Sequence, residues 1–510
     1  MRTSPFLLLA AVTFSACDSP DPITEIEPAP LPEIAEEPAA PAFDPTLSTV
    51  RVSSTRQDWN QRQPWEKNAP RKRRSLGAVV SDTHVLTTAE MVTDATYLEL
   101  ETADGLKLAP ARVEAVDYEA NLALLTLEDA DDDFFEALVP LEIAEAPKPG
   151  DVLDIVQVES NGIPLVTSGP IQSLDVISNF LPGQFFLAYE VKASMQKSAS
   201  SFSLPVLSEG KLAGMLTNYN SDDQISDVTA TPIVQRFLDD AADGSYEGFP
   251  SLGVATTSTD DTNFRSWLKL PEDNGGIYVS TVRKGSAADE AGLEKGDVIL
   301  TVDGMDIDRQ GYYEDPELGR VFWSHLVRGS KGAGDEVTLG VIRDGEVVEL
   351  TATLERLQAA ERLVPDYTYG KAPNFLIKGG LLFQELTRPM LETFGKEWES
   401  RAPLDLLDVY ENPEAYEERF DRVVFLSGVI ATPATVGYEP LRNLIVTEVN
   451  GKPVRDIKSL VEAFGATPAD GLHSIRFDNQ DFAVYLDDVL ATNVDTQLLQ
   501  RGLTKLSRTE

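Results

Sequence analysis

The chain has 510 residues, of which 84 are acidic and 43 basic, for a net charge of −41. A field of that sign repels nucleic acid and anionic lipid, so neither is expected to bind by direct adsorption. One cysteine, Cys17, and three histidines rule out an internal disulfide and any multi-cysteine metal centre, and no metal or other cofactor is expected.

Residues 1–16 read as an export signal: Arg2, an apolar run over 6–14, then Ser15-Ala16 ahead of Cys17. The run is too short to span a bilayer as a stable helix. The junction resembles a bacterial lipoprotein lipobox, which implies acylation of Cys17, membrane attachment and a place in the cell envelope, facing the periplasm in a Gram-negative host. An ordinary signal peptide with an incidental cysteine is the alternative. Residues 17–47 form an acidic, proline-rich tether: 18–46 hold eight prolines, eight acids and no lysine or arginine. Such a segment buries too little apolar surface to fold. At about 3.1 Å per residue it reaches on the order of 90 Å.

Residues 48–245 are strand-rich, with short β runs at 77–80, 96–100, 111–116, 122–127 and 152–158, and helical periodicity mainly at 232–240. Many short strands and one closing helix predict an all-β double barrel. The basic run Arg71-Lys72-Arg73-Arg74 is expected as a solvated loop before a strand. Val85-Leu86-Thr87-Thr88-Ala89-Glu90-Met91-Val92 resembles the histidine-bearing turn of trypsin-fold proteases of the HtrA/Deg family, V-L-T-N-A-H-V-V, with Glu90 at the histidine position. Asn121-Leu122-Ala123-Leu124-Leu125 resembles that family's D-L-A-L-L, with Asn121 at the aspartate. The serine motif N-P-G-N-S-G-G-P-V corresponds to 196–206. Counting forward places Ser200 at the nucleophile, whereas counting back from Pro205-Val206 places Phe202 there. Every glycine of that loop is gone. A serine protease needs a base able to take the nucleophile's proton near neutral pH, and backbone N–H groups aimed at the oxyanion. The three departures together imply an inactive protease domain. Asn121 is expected to donate a hydrogen bond to Glu90. His84 is expected in a solvent-facing turn, His325 as a packing residue on an apolar helix over 321–327, and His473 at a strand start with no evident partner.

A weak internal repeat follows. Val302-Asp303-Gly304-Met305 returns as Val449-Asn450-Gly451-Lys452; Asp-Gly and Asn-Gly between strands are strong hairpin signals, and an amphipathic helix is expected after each. Gly276 to Val282, Gly285-Ser286-Ala287-Ala288 and Gly296-Asp297-Val298-Ile299 match the PDZ pattern of HtrA proteases. A first PDZ domain is thus expected over 246–358, a linker over 359–374, and a more divergent PDZ-like domain over 375–510. Gly248-Phe249-Pro250 and the second copy resemble the plant-type Deg branch. The fold class expected is mainly β: a trypsin-like double barrel followed by two PDZ-like α+β domains.

PDZ domains add an extended peptide as a strand and hold its C-terminal carboxylate on backbone N–H groups. By resemblance the capturing loops are Ser251-Leu252-Gly253-Val254 and Gly379-Gly380-Leu381, and an insertion at 308–316 is expected to cover part of the first groove. The resemblance implies protein or peptide C-termini, or unfolded segments, as partners and a trimer-based homo-oligomer, with the last domain acting in assembly. Three readings stay open: a lipid-anchored pseudoprotease that binds peptides in envelope protein quality control, an active endopeptidase with a Ser200/Glu90 site, and an architectural oligomeric lipoprotein.

Overall fold

A computed structural model of the chain describes residues 44–130, 132–178, 180–196, 202–271, 275–358 and 361–510. The expected signal segment, Cys17, the tether as far as residue 43, and Ser200 lie outside the described residues.

Alternating apolar residues put one face of each early strand inside a closed barrel. Its strands are β1 (Thr49–Arg56), β2 (Arg71–Ser81), β3 (His84–Thr87), β4 (Ala95–Thr102), β5 (Leu108–Asp117) and β6 (Leu122–Leu127), in the order β1-β2-β3-β6-β5-β4. Helix α1 (Ala89–Val92) follows β3. Val50, Val52, Leu100, Ala109 and Leu125 fill the interior, and closure leaves no unpaired edge. A second closed barrel has the order β10-β11-β12-β9-β8-β7. Its strands are β7 (Val152–Val158), β8 (Pro164–Ile177), β9 (Phe186–Lys192), β10 (Leu204–Ser208), β11 (Lys211–Asn220) and β12 (Ile225–Thr229), and α2 (Thr231–Ala241) closes the unit. Helix α2 buries Ile233, Val234 and Phe237 against the barrel, each worth about 1.5–3 kcal/mol of transfer free energy.

The next unit holds β13 (Val254–Thr257), α3 (Thr262–Trp267), β14 (Ile277–Val282), α4 (Ala287–Glu290), β15 (Val298–Val302), β16 (Met305–Asp306), the hairpin β17 (Tyr312–Asp315) and β18 (Gly319–Phe322), α5 (Ser324–Arg328), β19 (Glu336–Arg343) and β20 (Glu346–Thr353). The sheet runs β13-β14-β15-β19-β20. The last unit holds β21 (Phe375–Lys378), β22 (Leu381–Glu385), α6 (Arg388–Glu392), α7 (Trp398–Arg401), α8 (Leu404–Glu411), β23 (Val424–Val429), β24 (Leu444–Val449), β25 (Lys452–Pro453), α9 (Ile457–Phe464), β26 (Leu472–Phe477), β27 (Ala483–Asp487), α10 (Asp488–Gln500) and β28 (Ser507–Arg508). Both expected Asx-Gly hairpins form: Asp303 and Asn450 have φ of 50° and 54°, and Gly304 and Gly451 have 77° and 75°. That left-handed pair is what a two-residue type I′ turn requires.

The connections are packed rather than free. Within the segment after β20, Tyr369 lies 4.8 Å from the Tyr118 ring, and Gly370 N–H donates to Asp94 Oδ1 at 2.8 Å. The loop between β1 and β2 reaches the last unit, where Arg508 stacks 4.2 Å from the Trp59 ring.

Several sequence expectations are corrected. Arg71 to Arg74 lie within β2, because β1 offers ladder partners as far as Arg56↔Arg71 and paired backbone is preferred to free backbone. The first Asx-Gly hairpin is followed by the β17–β18 hairpin and the short α5, not by an amphipathic helix, so of the expected helix over 321–327 only 324–327 is helical. His84 opens β3, half-buried, with Nδ1 3.0 Å from Ser81 Oγ. His473 does have partners: Nε2 is 3.0 Å from Asp488 Oδ1, and Nδ1 is 2.9 Å from Asn450 Nδ2. His325 is buried, in keeping with a packing role, and burial pushes its pKa down.

Candidate functional site

The first barrel brings Glu90, on α1, and Asn121, just before β6, together. Asn121 is 1% exposed and sits at the tight β5–β6 turn with φ of 57°, a conformation asparagine tolerates. The turn is held by Asp117, whose Oδ1 accepts from Glu119 N–H and Ala120 N–H, both at 2.8 Å. The hydrogen bond between the two residues runs opposite to expectation. Glu90 N–H, one of the orphan donors in the first turn of α1, donates to Asn121 Oδ1 at 2.9 Å.

The Glu90 carboxylate faces a different partner. Arg73 Nη1 donates to Glu90 Oε1 at 2.7 Å and to the Glu90 carbonyl at 3.2 Å. The same guanidinium lies 5.0 Å from the Phe202 ring centre, within cation–π range. Phe202 packs on the core of the first barrel. Glu90, Arg73 and Phe202 thus place a carboxylate, a guanidinium and a phenyl ring in sequence.

Ser203 follows Phe202, fully buried with φ of 53°. Its hydroxyl lies 2.9 Å from Thr87 Oγ1 and accepts from Thr88 N–H at 3.2 Å. Ser75 Oγ donates to the carbonyls of Phe202 and, at 3.0 Å, Ser203. These contacts tie the loop to the first barrel and hold a non-glycine residue left-handed, which costs about 1–2 kcal/mol.

Further along, residues 251–254 lead into β13. Leu252 O accepts from Ala288 N–H at 3.0 Å and Gly253 O from Arg283 N–H at 2.9 Å. In a trans peptide the N–H points opposite the carbonyl, so Gly253 and Val254 turn their N–H groups away from these inward bonds. Ser251 Oγ accepts from Gly253 N–H at 3.2 Å. Gly253 has φ of 80°, and a Cβ there would lie 2.3 Å from Ser286 Cβ, so only glycine fits. Beside the loop is a cavity of about 670 Å³ between β13 and α5. Tyr312, from the expected insertion, reaches its lining.

The corresponding loop of the last unit is the β21–β22 turn. There Gly379 N–H donates to Asp495 Oδ1 at 2.7 Å, and Gly379 O accepts from Thr432 Oγ1 at 2.7 Å. Gly380 O accepts from Ile430 N–H at 2.7 Å. A carboxylate of α10 thus already occupies the amide a peptide carboxylate would take, and Leu381 is fully buried.

PDZ-domain profiles match residues 250–354 and 364–505. Among similar proteins, Protease Do-like 2, chloroplastic, from Arabidopsis thaliana is 28% identical over 81% of this chain and 67% of its own length. Protease Do-like 4, mitochondrial, from the same organism is 26% identical over 90% and 86% respectively. The chain is thus similar to HtrA/Deg-type proteases over most of its length, and its two C-terminal units match PDZ domains. A solved structure titled HtrA-type protease AlgW with decapeptide is 20% identical, with a TM-score of 0.45, covering 61% of this chain and 97% of that one.

In an HtrA/Deg frame, the fold brings two of the three triad positions, Glu90 and Asn121, into contact, and Ser200 lies outside the described residues. Sequence reasoning missed Arg73. Its signal was present but ambiguous, because four consecutive basic residues look alike until strand register assigns one of them to the cleft. Asp495 was also missed, since 116 residues separate it from Gly379.

Proposed function

We propose that this HtrA/Deg-type chain is a pseudoprotease that binds peptides through its first PDZ domain. The observation that carries this reading is the Arg73 bridge between Glu90 and Phe202. The side chain at the histidine position is committed to a guanidinium, and counting back from Pro205-Val206 puts a phenyl ring at the nucleophile position. Neither supplies the proton acceptor or the nucleophile that acyl transfer requires. The loop at Gly253, whose N–H meets the neutral Ser251 hydroxyl at 3.2 Å rather than a carboxylate, and the adjoining cavity support peptide capture there. The occupied Gly379 turn favours an assembly role for the second PDZ domain, consistent with a trimer-based homo-oligomer. Residues 1–17 support lipid anchoring at Cys17 in the envelope, where such a protein would serve quality control.

The test is a fluorophosphonate probe and unfolded casein from pH 4 to 8 on the full chain, with Ser200→Ala as control. Neither labelling nor turnover is expected. Turnover that Ser200→Ala abolishes overturns the reading in favour of a Ser200/Glu90 endopeptidase. Oligomers that bind no peptide leave the architectural reading. Metabolic labelling with an alkynyl fatty acid tests the anchor; label that persists in Cys17→Ser would refute it.

A further inference from the structure

The cavity beside Gly253 has a floor of ordinary PDZ type, with Leu252, Val254, Trp323 and Val327 among its lining. Its rim is unusual for a chain carrying −41 charges. Three arginines from separate segments line it: Arg283 after β14, Arg328 at the end of α5, and Arg362 beyond β20. The carboxylate among its lining residues is Asp175, whose Oδ1 accepts from Val176 N–H at 2.7 Å.

The three guanidiniums are unequally committed. Arg328 pairs with Glu119 and donates to Gln184 Oε1 at 2.6 Å, yet its Nε is buried without a partner. Arg362 pairs with Asp366, and its Nε is likewise buried and unpartnered. Arg283 forms no ion pair among the described residues; burial lowers its pKa, and only the more remote Glu417 and Glu119 oppose that. Burial, and then the Arg283 charge, pull Arg362 down to about 10, which leaves it a cation at neutral pH. Clustered like charges in a half-buried pocket are unfavourable, and an entering anion relieves them. A single C-terminal carboxylate, held by the N–H groups of the 251–254 loop, leaves guanidinium capacity over.

We propose that the first PDZ groove selects acidic C-termini: a free C-terminal carboxylate together with at least one aspartate or glutamate side chain among the last three residues, read by Arg283 and Arg362 with Arg328 behind them. This rests on the peptide-binding reading above and supplies its substrate class. The partner is a protein tail of that chemistry.

The test is fluorescence anisotropy on the full chain at about 0.1 M salt, where screening is moderate. The probes are a labelled octapeptide ending Glu-Asp-Val with a free carboxylate, its Gln-Asn-Val counterpart, and the C-terminal amide of each. The acidic peptide should bind at least about tenfold tighter than the neutral one, as expected for charge-assisted hydrogen bonds. Arg283→Gln should shrink that ratio severalfold while the thermal midpoint of the variant matches the parent. Equal affinity for the acidic and neutral acids, both better than their amides, overturns the acidic selection and leaves the PDZ reading intact. A ratio unchanged in both Arg283→Gln and Arg362→Gln overturns the assignment to these arginines. If free acids bind no better than amides, peptide capture and this proposal fall together.

Discussion

Arg328 couples the first PDZ domain to the barrels, and its loss should be felt at that junction. Its guanidinium pairs with Glu119, with side-chain exposures of 12% and 6%, and lies 4.4 Å from the Phe186 ring centre. Breaking a buried pair by removing one partner costs about 3–5 kcal/mol, because the other charge is left uncompensated. Here the lower end applies, since Arg356, Arg283 and Arg362 also feel the Glu119 charge. Arg328→Met keeps much of the apolar stem and should therefore cost about 3 kcal/mol, a factor of roughly one hundred in local opening. Hydrogen exchange followed by mass spectrometry suits a multidomain chain better than a single melting point. Amides of α5 and β9 should exchange about one hundredfold faster in Arg328→Met, and Arg328→Met with Glu119→Gln should cost less than the sum of the single changes. An increase below about threefold, or strict additivity, would refute the buried coupling.

Restoring the triad letters with Glu90→His and Asn121→Asp should not restore casein cleavage, because Arg73 and Phe202 still fill the cleft; measurable turnover contradicts this. Gly253→Val forces a Cβ to within 2.3 Å of Ser286 Cβ at a φ of 80°. It should weaken C-terminal peptide binding by more than about tenfold and destabilise the domain by about 1–3 kcal/mol, and unchanged anisotropy titrations would count against the loop assignment. The hydrogen bond from His473 holds the Asp488 carboxyl below its usual pKa. Its contribution is therefore fully present above the unfolded carboxyl's pKa near 4 and fades as pH falls through the lower folded value. Asp488→Asn should remove that component from thermal midpoints measured between pH 5 and 2.5. Identical pH profiles for parent and variant would exclude it.

Alternating apolar residues, the Asx-Gly turns and the 457–464 helix were legible because each is a local pattern that burial or turn geometry enforces within a few residues. Glu90, Asn121 and the absent glycines were legible for the same reason, as departures from short motifs. The partners of those residues were not legible. Arg73 reaches Glu90 only through the register of β2 on β1, since a one-residue shift would turn its side chain to the other face. The direction of the Glu90–Asn121 bond depends on an orphan amide at the start of α1, which exists only once that turn has formed. Asp495 on Gly379 and the three arginines around the Gly253 cavity join segments far apart in the chain. The sequence alone thus determined most of the strand and turn content and which residues, Glu90 and Asn121, stand in the family's motif positions. Strand register and tertiary packing decided which charges meet, because chain closure over long separations has no local signature.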